Sequence, residues 1–338
     1  LCAALFRYLS LQEGFYAVQT NFRPKSEQLL RRLVKTTISR RKFLAYAGVL
    51  AASGAAAHQL TLSSNSPIEL VHTPIAVPDL PSSFDGYRIG FLSDIHLGVY
   101  TPPELLERAV RQLVSADIDL LLLGGDYHWI SDSGLAELIG MARSSPFVGP
   151  ESPELAAQIV STVADLVQVA RPRDGIYGIV GNHDRWTGAT QCSKLFAKRG
   201  IDILVNRVVS IARGDEQLRL IGVDDFWTGF PRIPKLAPKQ RGREVRVLLS
   251  HNPDYVPFAL GTRAAAFDLA LCGHTHGGQI CLPVLGALVT NIREQQFFAG
   301  LNDSTPCAVY TTRGIGVVEL PFRLNCPSEA SILELRRA

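Results

Sequence analysis

Five short apolar runs are the clearest pattern along the chain. They occupy residues 88–92, 120–123, 176–180, 245–249 and 267–271. The runs are bounded by glycine or polar residues and separated by helical patterns. Continuous apolar runs of this length are typical of parallel strands that are buried on both faces. The pattern therefore predicts an α/β fold.

Two helices are predicted between the first three runs. Thr101 and Glu104 have the spacing of a capping box, with Pro103 at the first helical position and apolar residues following at helical intervals. A second helix is predicted over residues 152–170. The segment 131–150 is punctuated by glycine, serine and proline, and both a lid over the site and a plain surface insertion fit this pattern.

A polar cluster that could bind metal follows each apolar run. The clusters contain Asp94 and His96; Asp126; Asn182, His183 and Asp184; His251; and His274 and His276. In an α/β sheet, sites form beyond the carboxyl ends of the strands, so we expect the clusters to meet there. Asp94 and His96 are two residues apart, which on an extended backbone directs both side chains to one face and one ion.

In this order, the motifs D-x-H, G-D, G-N-H-D, H and G-H-x-H resemble the calcineurin-like metallophosphoesterase family, from about residue 87 to the end. Segments 273–279, 312–316 and 320–323 resemble its exported or membrane-associated bacterial phosphodiesterase branch. The resemblance implies a layered α/β/β/α sandwich with a dinuclear site at the carboxyl ends of the strands. It implies one ion bound by Asp94, His96, Asp126 and His276, and another bound by Asp126, Asn182, His251 and His274.

The ligand types restrict the metals and the chemistry. Nitrogen and oxygen ligands without thiolate suit Mn, Fe, Zn, Co or Ni better than Ca or Mg. Two such ions can activate a bridging hydroxide for in-line attack on a phosphoester. We expect a phosphodiesterase or pyrophosphatase acting on a lipid- or nucleotide-type substrate. A periplasmic phosphomonoesterase or nucleotidase is the alternative, and a non-catalytic metal-binding interaction module is disfavoured because no ligand is lost.

Two further residues are candidates for catalysis. His183 adjoins the candidate ligand Asn182, and we interpret it as the general acid for the leaving alkoxide. Many relatives carry an Asp three residues after the bridging Asp, which orients this His, whereas the present chain has Trp129 there. Asp184, our second catalytic candidate, or Asp132 could replace it.

Charge and composition divide the chain. Of its 34 Lys+Arg and 31 Asp+Glu residues, nine basic and two acidic residues lie in segment 1–57, so the remainder has a net charge near −4 despite the total of +3. No basic stripe therefore supports nucleic-acid binding. We expect a leader over 1–57, of which residues 1–30 need not be native, a linker or N-terminal extension over 58–84, and a catalytic domain over 85–338 that acts as a monomer.

The leader resembles a twin-arginine export signal. Arg40 and Arg41 lie in S-R-R-K-F-L, and an apolar run of small residues follows and ends at Ala55–Ala57. This layout implies the twin-arginine machinery as a partner and a periplasmic location, or anchoring at the outer face of the inner membrane by an uncleaved signal. A basic helix with an Ala-rich linker is the plainer alternative.

Five cysteines follow the leader. They are Cys192, Cys272, Cys281, Cys307 and Cys326. An odd number without paired spacing does not predict a disulfide framework, although an oxidising compartment would permit one bridge.

Overall fold

In a computed structural model of the protein, the described residues are 60–62, 66–130, 152–261, 267–303 and 306–338. The predicted leader and the segment 131–150, with Asp132, lie outside them. Within the described ranges, no helix is long and apolar enough to cross a membrane.

The first of two six-stranded sheets contains three of the predicted strands. With strands numbered in chain order, its spatial order is β2 (Ile68–Val77), β18 (Ser328–Arg337), β3 (Arg88–Leu92), β5 (Leu120–Leu123), β7 (Ile176–Gly178) and β8 (Asp202–Ile203). Strands β3, β5, β7 and β8 run parallel, and β18 is antiparallel to β3.

The second sheet contains the other two predicted strands. Its order is β15 (Gly300–Asn302), β16 (Ala308–Thr311), β12 (Leu269–Cys272), β11 (Glu244–Leu249), β10 (Glu216–Gly222) and β9 (Arg207–Arg213). The four central strands are parallel, and β9 and β15 are antiparallel to their neighbours.

Short strands and helices complete the described fold. The paired short strands are β1 (Leu60–Leu62) with β17 (Phe322–Leu324), β4 (Leu97–Gly98) with β6 (His128–Trp129), and β13 (Cys281–Leu282) with β14 (Gly286–Ala287). The helices are α1 (Pro103–Ser115), α2 (Pro153–Val167), α3 (Asn182–Thr187), α4 (Ala189–Ala197) and α5 (Tyr255–Leu260). Single 3-10 turns lie at Ser82–Phe84, Gln168–Ala170, His276–Gly278 and Gln295–Phe297.

The core is layered, as the predicted α/β/β/α sandwich requires. Leu121 of β5 packs in the cluster formed with α1, α2 and α4. The neighbouring Leu122 packs in the cluster between the two sheets, together with Val247 of β11. Helix α5 covers the other face of the second sheet through Val256, which packs with Leu248. Both faces of the central strands are therefore buried, which explains their continuous apolar sequence.

Local predictions at the helix starts had different outcomes. Ser152 caps α2, where its hydroxyl accepts a hydrogen bond from the Leu155 N–H at 3.1 Å. The capping box at Thr101 is wrong, because Pro102 is the N-cap of α1 and makes no side-chain cap bond. The Thr101 hydroxyl instead accepts a hydrogen bond from the Val317 N–H at 3.3 Å.

The range interpreted as a linker or extension, 58–84, contains the ten-residue strand β2, paired along its full length with β18. The folded unit therefore begins before residue 85. Strand β2 lies at the edge of the first sheet and most of its residues are at least partly exposed. It therefore lacks the continuous apolar run by which the central strands were predicted.

Candidate metal centre

The candidate ligands come from the carboxyl ends of strands in both sheets. Asp94 and His96 follow β3, Asp126 follows β5 and Asn182 follows β7, all in the first sheet; His251 follows β11, and His274 and His276 follow β12, in the second. We expected the carboxyl ends of the strands of one sheet to carry all of the ligands, but two sheets carry them. The two sheets pack face to face, which brings the strand ends of both sheets to one site.

The backbone at these positions is not extended. Asp94, His96, Asp126, His274 and His276 all have positive φ, between 43° and 71°. The assumption that an extended backbone aligns Asp94 with His96 is thus wrong, although both side chains do reach one cluster. Non-glycine residues in the left-handed region are uncommon and concentrate at functional sites.

One group of converging ligand atoms comprises Asp94, His96 and His276. The Nε2 atoms of His96 and His276 face each other at 3.1 Å, and Asp94 Oδ1 lies 3.5 Å from His276 Nε2. All three residues are buried. Such a convergence of nitrogen and oxygen atoms away from water suits a divalent cation.

A second group comprises Asp126, His251 and His274. His251 Nε2 lies 3.2 Å from Asp126 Oδ2, and His274 Nδ1 lies 3.1 Å from the Asn182 Oδ1 atom. Asp126 Oδ2 is also 3.5 Å from His96 Nε2, so this carboxylate connects the two groups. The residues therefore fit a pair of ions that share Asp126.

The electrostatics favour metal-binding forms of most ligands. Burial lowers the pKa of His96, His274 and His276 well below its usual value, which keeps these imidazoles neutral. Burial alone would raise the pKa of Asp126, but the charge on His251 and the hydrogen bond from its ring outweigh burial and hold this pKa well below the ordinary range. Neutral imidazole and ionised carboxylate are the forms that bind a metal ion.

Comparison with known proteins assigns this arrangement to a family. Residues 87–278 match the family model described as calcineurin-like phosphoesterase. The chain belongs to that family. It is accordingly a metal-dependent phosphoester hydrolase, and members of the family normally bind divalent metal ions.

Individual relatives cover most of the chain. It is 30% identical to phosphodiesterase YaeI of Escherichia coli (strain K12) over 302 residues, which cover 88% of this chain and 99% of YaeI. It is 28% identical to the uncharacterized metallophosphoesterase YkuE of Bacillus subtilis (strain 168), over 88% of this chain and 98% of YkuE. The solved NAD nucleotidase of Haemophilus influenzae aligns with 71% of this chain at 12% identity and a TM-score of 0.42; the chain spans 49% of that structure.

His183 lies at the margin of this phosphoesterase site. Its side chain is 18% exposed, whereas those of His96 and His251 are fully buried. Its backbone N–H donates to Asp126 Oδ1 at 2.9 Å, and its Nε2 lies 4.0 Å from Asp126 Oδ2. Its ring also contacts the Trp129 ring, with centroids 4.8 Å apart. The position suits proton transfer to a bound ester, and the spacing to His96 and Asp126 also allows metal ligation.

Asp184 does not make the contacts expected of a catalytic residue. Its carboxylate accepts hydrogen bonds from the backbone N–H groups of Asp126 and Gly181, both at 2.8 Å, and of Tyr127 at 3.0 Å. The side chain is fully buried. As the third residue of α3 it points back to the N-cap, Gly181, as an acidic residue in a capping box does. Asp184 therefore connects two ligand-bearing loops, and the predicted orienting role is not supported.

Three residues near the ligands had no role in the sequence analysis. Trp129, at the position of the orienting Asp of many relatives, places an aromatic ring against His183. Trp227 lies edge-on to His274, with ring centroids 4.2 Å apart. Arg323 was noted only as part of a family segment. It is 1% exposed, and no local sequence feature indicates that its side chain is buried.

Arg323 holds the backbone behind the first ligand group. Its guanidinium donates to the carbonyl oxygens of Gly316 at 2.6 Å, Arg313 at 2.8 Å and His276 at 3.1 Å. Gly316 in turn donates its N–H to the Asp94 carbonyl at 2.7 Å. Arg323 therefore links two candidate ligand turns through a single buried side chain.

Proposed function

We propose that this phosphoesterase hydrolyses phosphodiesters or pyrophosphates of a lipid or nucleotide type. The observation that carries the proposal is the pair of buried ligand groups connected by Asp126, which suits two ions acting on one phosphoryl group. The relative YaeI is named as a phosphodiesterase, and the alignment covers almost its full length.

Seven residues would hold the metal pair, which we propose to be drawn from Mn, Fe, Zn, Co and Ni. They are Asp94, His96, Asp126, Asn182, His251, His274 and His276. When bound, the two ions supply positive charge for the phosphoryl group and lower the pKa of a water nucleophile. The protein supplies the buried, preorganised positions of these ligands.

His183 would donate a proton to the leaving oxygen of the ester. Burial lowers the pKa of His183 and disfavours the imidazolium, the form that can protonate a leaving group, whereas the nearby Asp126 carboxylate favours it. The packed ring of Trp129 would restrict the orientation of the imidazole, in place of a carboxylate partner. His183 would thus act on the leaving group while the ligands act on the phosphoryl group.

The test separates acid catalysis from metal binding. His183→Ala should retain both metals, yet slow the hydrolysis of esters with high-pKa leaving groups by about 10² to 10⁴. Hydrolysis of p-nitrophenyl esters should fall much less, because that leaving group needs little protonation. Asp126→Asn should instead lose metal and depress both rates, and His72→Ala, half exposed at 51%, should change neither.

Metal loss in His183→Ala, or equal slowing of both ester types with the metals retained, would eliminate the general-acid role. The substrate class is tested with bis-p-nitrophenyl phosphate against p-nitrophenyl phosphate. Faster turnover of the diester is expected, and faster turnover of the monoester would favour the phosphomonoesterase alternative.

We also propose export through the twin-arginine route, followed by action in the periplasm or at the outer face of the inner membrane. The support is the sequence alone: the paired Arg40 and Arg41, the apolar run after them and the closing Ala55–Ala57.

A further inference from the structure

Two cysteines meet beside the His276 turn, and no motif of the metal centre includes them. Cys281 begins β13, and Cys326 lies two residues after β17. Both Sγ atoms contact the same carbonyl oxygen, that of Gly277, each at 3.3 Å. The two thiols are also close enough to interact electrostatically with each other.

The backbone around the pair is held independently of the thiols. Ile280 and Leu324 form a parallel β-bridge, which brings the two chain segments side by side. The Leu324 N–H donates to the Gln279 carbonyl at 3.0 Å, and the Asn325 side-chain amide donates to the Cys281 carbonyl at 2.9 Å. The thiols are therefore placed next to each other by the fold.

We propose that Cys281 and Cys326 form a thiol-oxidation site that closes into a disulfide. Cys281 is partly exposed, whereas Cys326 is buried. A small-molecule disulfide would reach Cys281 first and form a mixed disulfide, releasing one thiol. The Cys326 sulfur then attacks the Cys281 sulfur and releases the second thiol. The protein loses two electrons and two protons, and the reagent disulfide is reduced to two thiols.

The bridge would fix the turn that carries His276. The bond would join Cys281, five residues after His276, to Cys326, whose Sγ lies 3.2 Å from the His276 carbonyl oxygen. It would also close a loop of about 45 residues, which restricts the unfolded chain. For a domain of this size, the expected rise in the melting temperature is about 5–10 °C. The proposal does not depend on the substrate of the enzyme.

The test compares the full chain after incubation with oxidised glutathione or with dithiothreitol. Remaining thiols are alkylated in denaturant, so that buried cysteines also react, and the digested protein is analysed by mass spectrometry. We expect linked peptides containing Cys281 and Cys326 with the loss of two hydrogens, together with the rise in melting temperature. Cys281→Ser and Cys326→Ser should each abolish both. Cys192 is a buried cysteine in α4, and the control variant Cys192→Ala should retain both the bridge and the difference in melting temperature between oxidised and reduced protein.

Three results would overturn the proposal. The thiols of Cys281 and Cys326 could both remain open to alkylation after oxidation, or glutathione could accumulate on Cys281 without resolution by Cys326. The third is an equal rise in melting temperature in the Cys281→Ser variant, which would assign the effect to another site. Wild-type protein alone decides the first two results, so poor folding of a variant does not prevent the test.

Discussion

Replacing Asp184 tests whether this residue is catalytic or connects the ligand loops. Its carboxylate accepts three backbone hydrogen bonds, from Asp126, Tyr127 and Gly181. Asp184→Ala removes all three acceptors from buried N–H groups. Asp184→Asn can keep the bonds at one oxygen but presents an amide donor to the remaining N–H. We therefore expect stability and metal content to decrease in the order Asp, Asn, Ala.

The size of the effect follows from these bonds. Burial, and then the nearby Asp126 carboxylate, raises the pKa of Asp184 to about 7. The carboxyl is therefore only partly ionised near neutral pH, and each N–H group that loses it costs at least about 1 kcal/mol, because the group stays buried without an acceptor. Loss of three bonds lowers the free energy of unfolding by about 3 kcal/mol in Asp184→Ala. For a domain of this size the melting temperature should fall by about 6–12 °C.

The assay combines thermal unfolding with elemental analysis of the purified protein. Asp215→Ala is the matched control, because that carboxylate is 72% exposed and pairs with Arg243 at the surface. Such a pair contributes at most about 1 kcal/mol. An Asp184→Ala protein that kept its metals and melted within about 2 °C of wild type, while losing turnover, would refute the connecting role and restore a catalytic one.

Three further substitutions test other parts of the reasoning. Arg323→Lys should lower the free energy of unfolding by about 3 kcal/mol in denaturant titrations, because an ammonium cannot reach all the carbonyl groups that the guanidinium binds. The control Arg336→Lys, at an exposed site, should leave this free energy unchanged. Gly314→Ala should lose metal, since its new Cβ would lie 2.6 Å from a ligand side chain at φ +71°, whereas Gly214→Ala, at φ +63° in open space, should keep it. The double substitution Arg40→Lys and Arg41→Lys should retain the protein in the cytoplasm. A fusion reporter that was still exported by the twin-arginine route would contradict the assignment of the export signal.

The sequence predicts those strands whose burial is two-sided. Leu120–Leu123 is a strand with the predicted bounds, because alternate residues face the helices and the second sheet and all must be apolar. Strand β2 is also hydrogen-bonded into this sheet, but it lies at the edge of the sheet. Its exposed residues include His72 and Pro74. An edge strand needs no continuous apolar run, so only the pairing with β18 identifies it.

The candidate ligands could be predicted because each directly follows a strand, and strands of one orientation end together. The backbone conformation at these ligands could not be predicted. The left-handed backbone at Asp94 and His96 depends on hydrogen bonds to Gly125 and Asp126, about thirty residues away in the chain. The residues near Asp94 and His96 in the sequence do not indicate those hydrogen-bond partners. The candidate ligands were therefore predicted with the wrong backbone conformation.

Two buried ionisable residues explain why the ligand turns can hold such a conformation. Asp184 binds the backbone of the Asp126 loop and of Gly181, next to Asn182. Arg323 binds the carbonyl of His276 and the turn that contacts Asp94. Both side chains bind mainly backbone groups and contact no ligand side chain, so their substitution should release metal without changing any ligand. The sequence motifs predict a catalytic role for Asp184 and no role for Arg323. The contacts of both side chains indicate that they position the ligand-bearing turns.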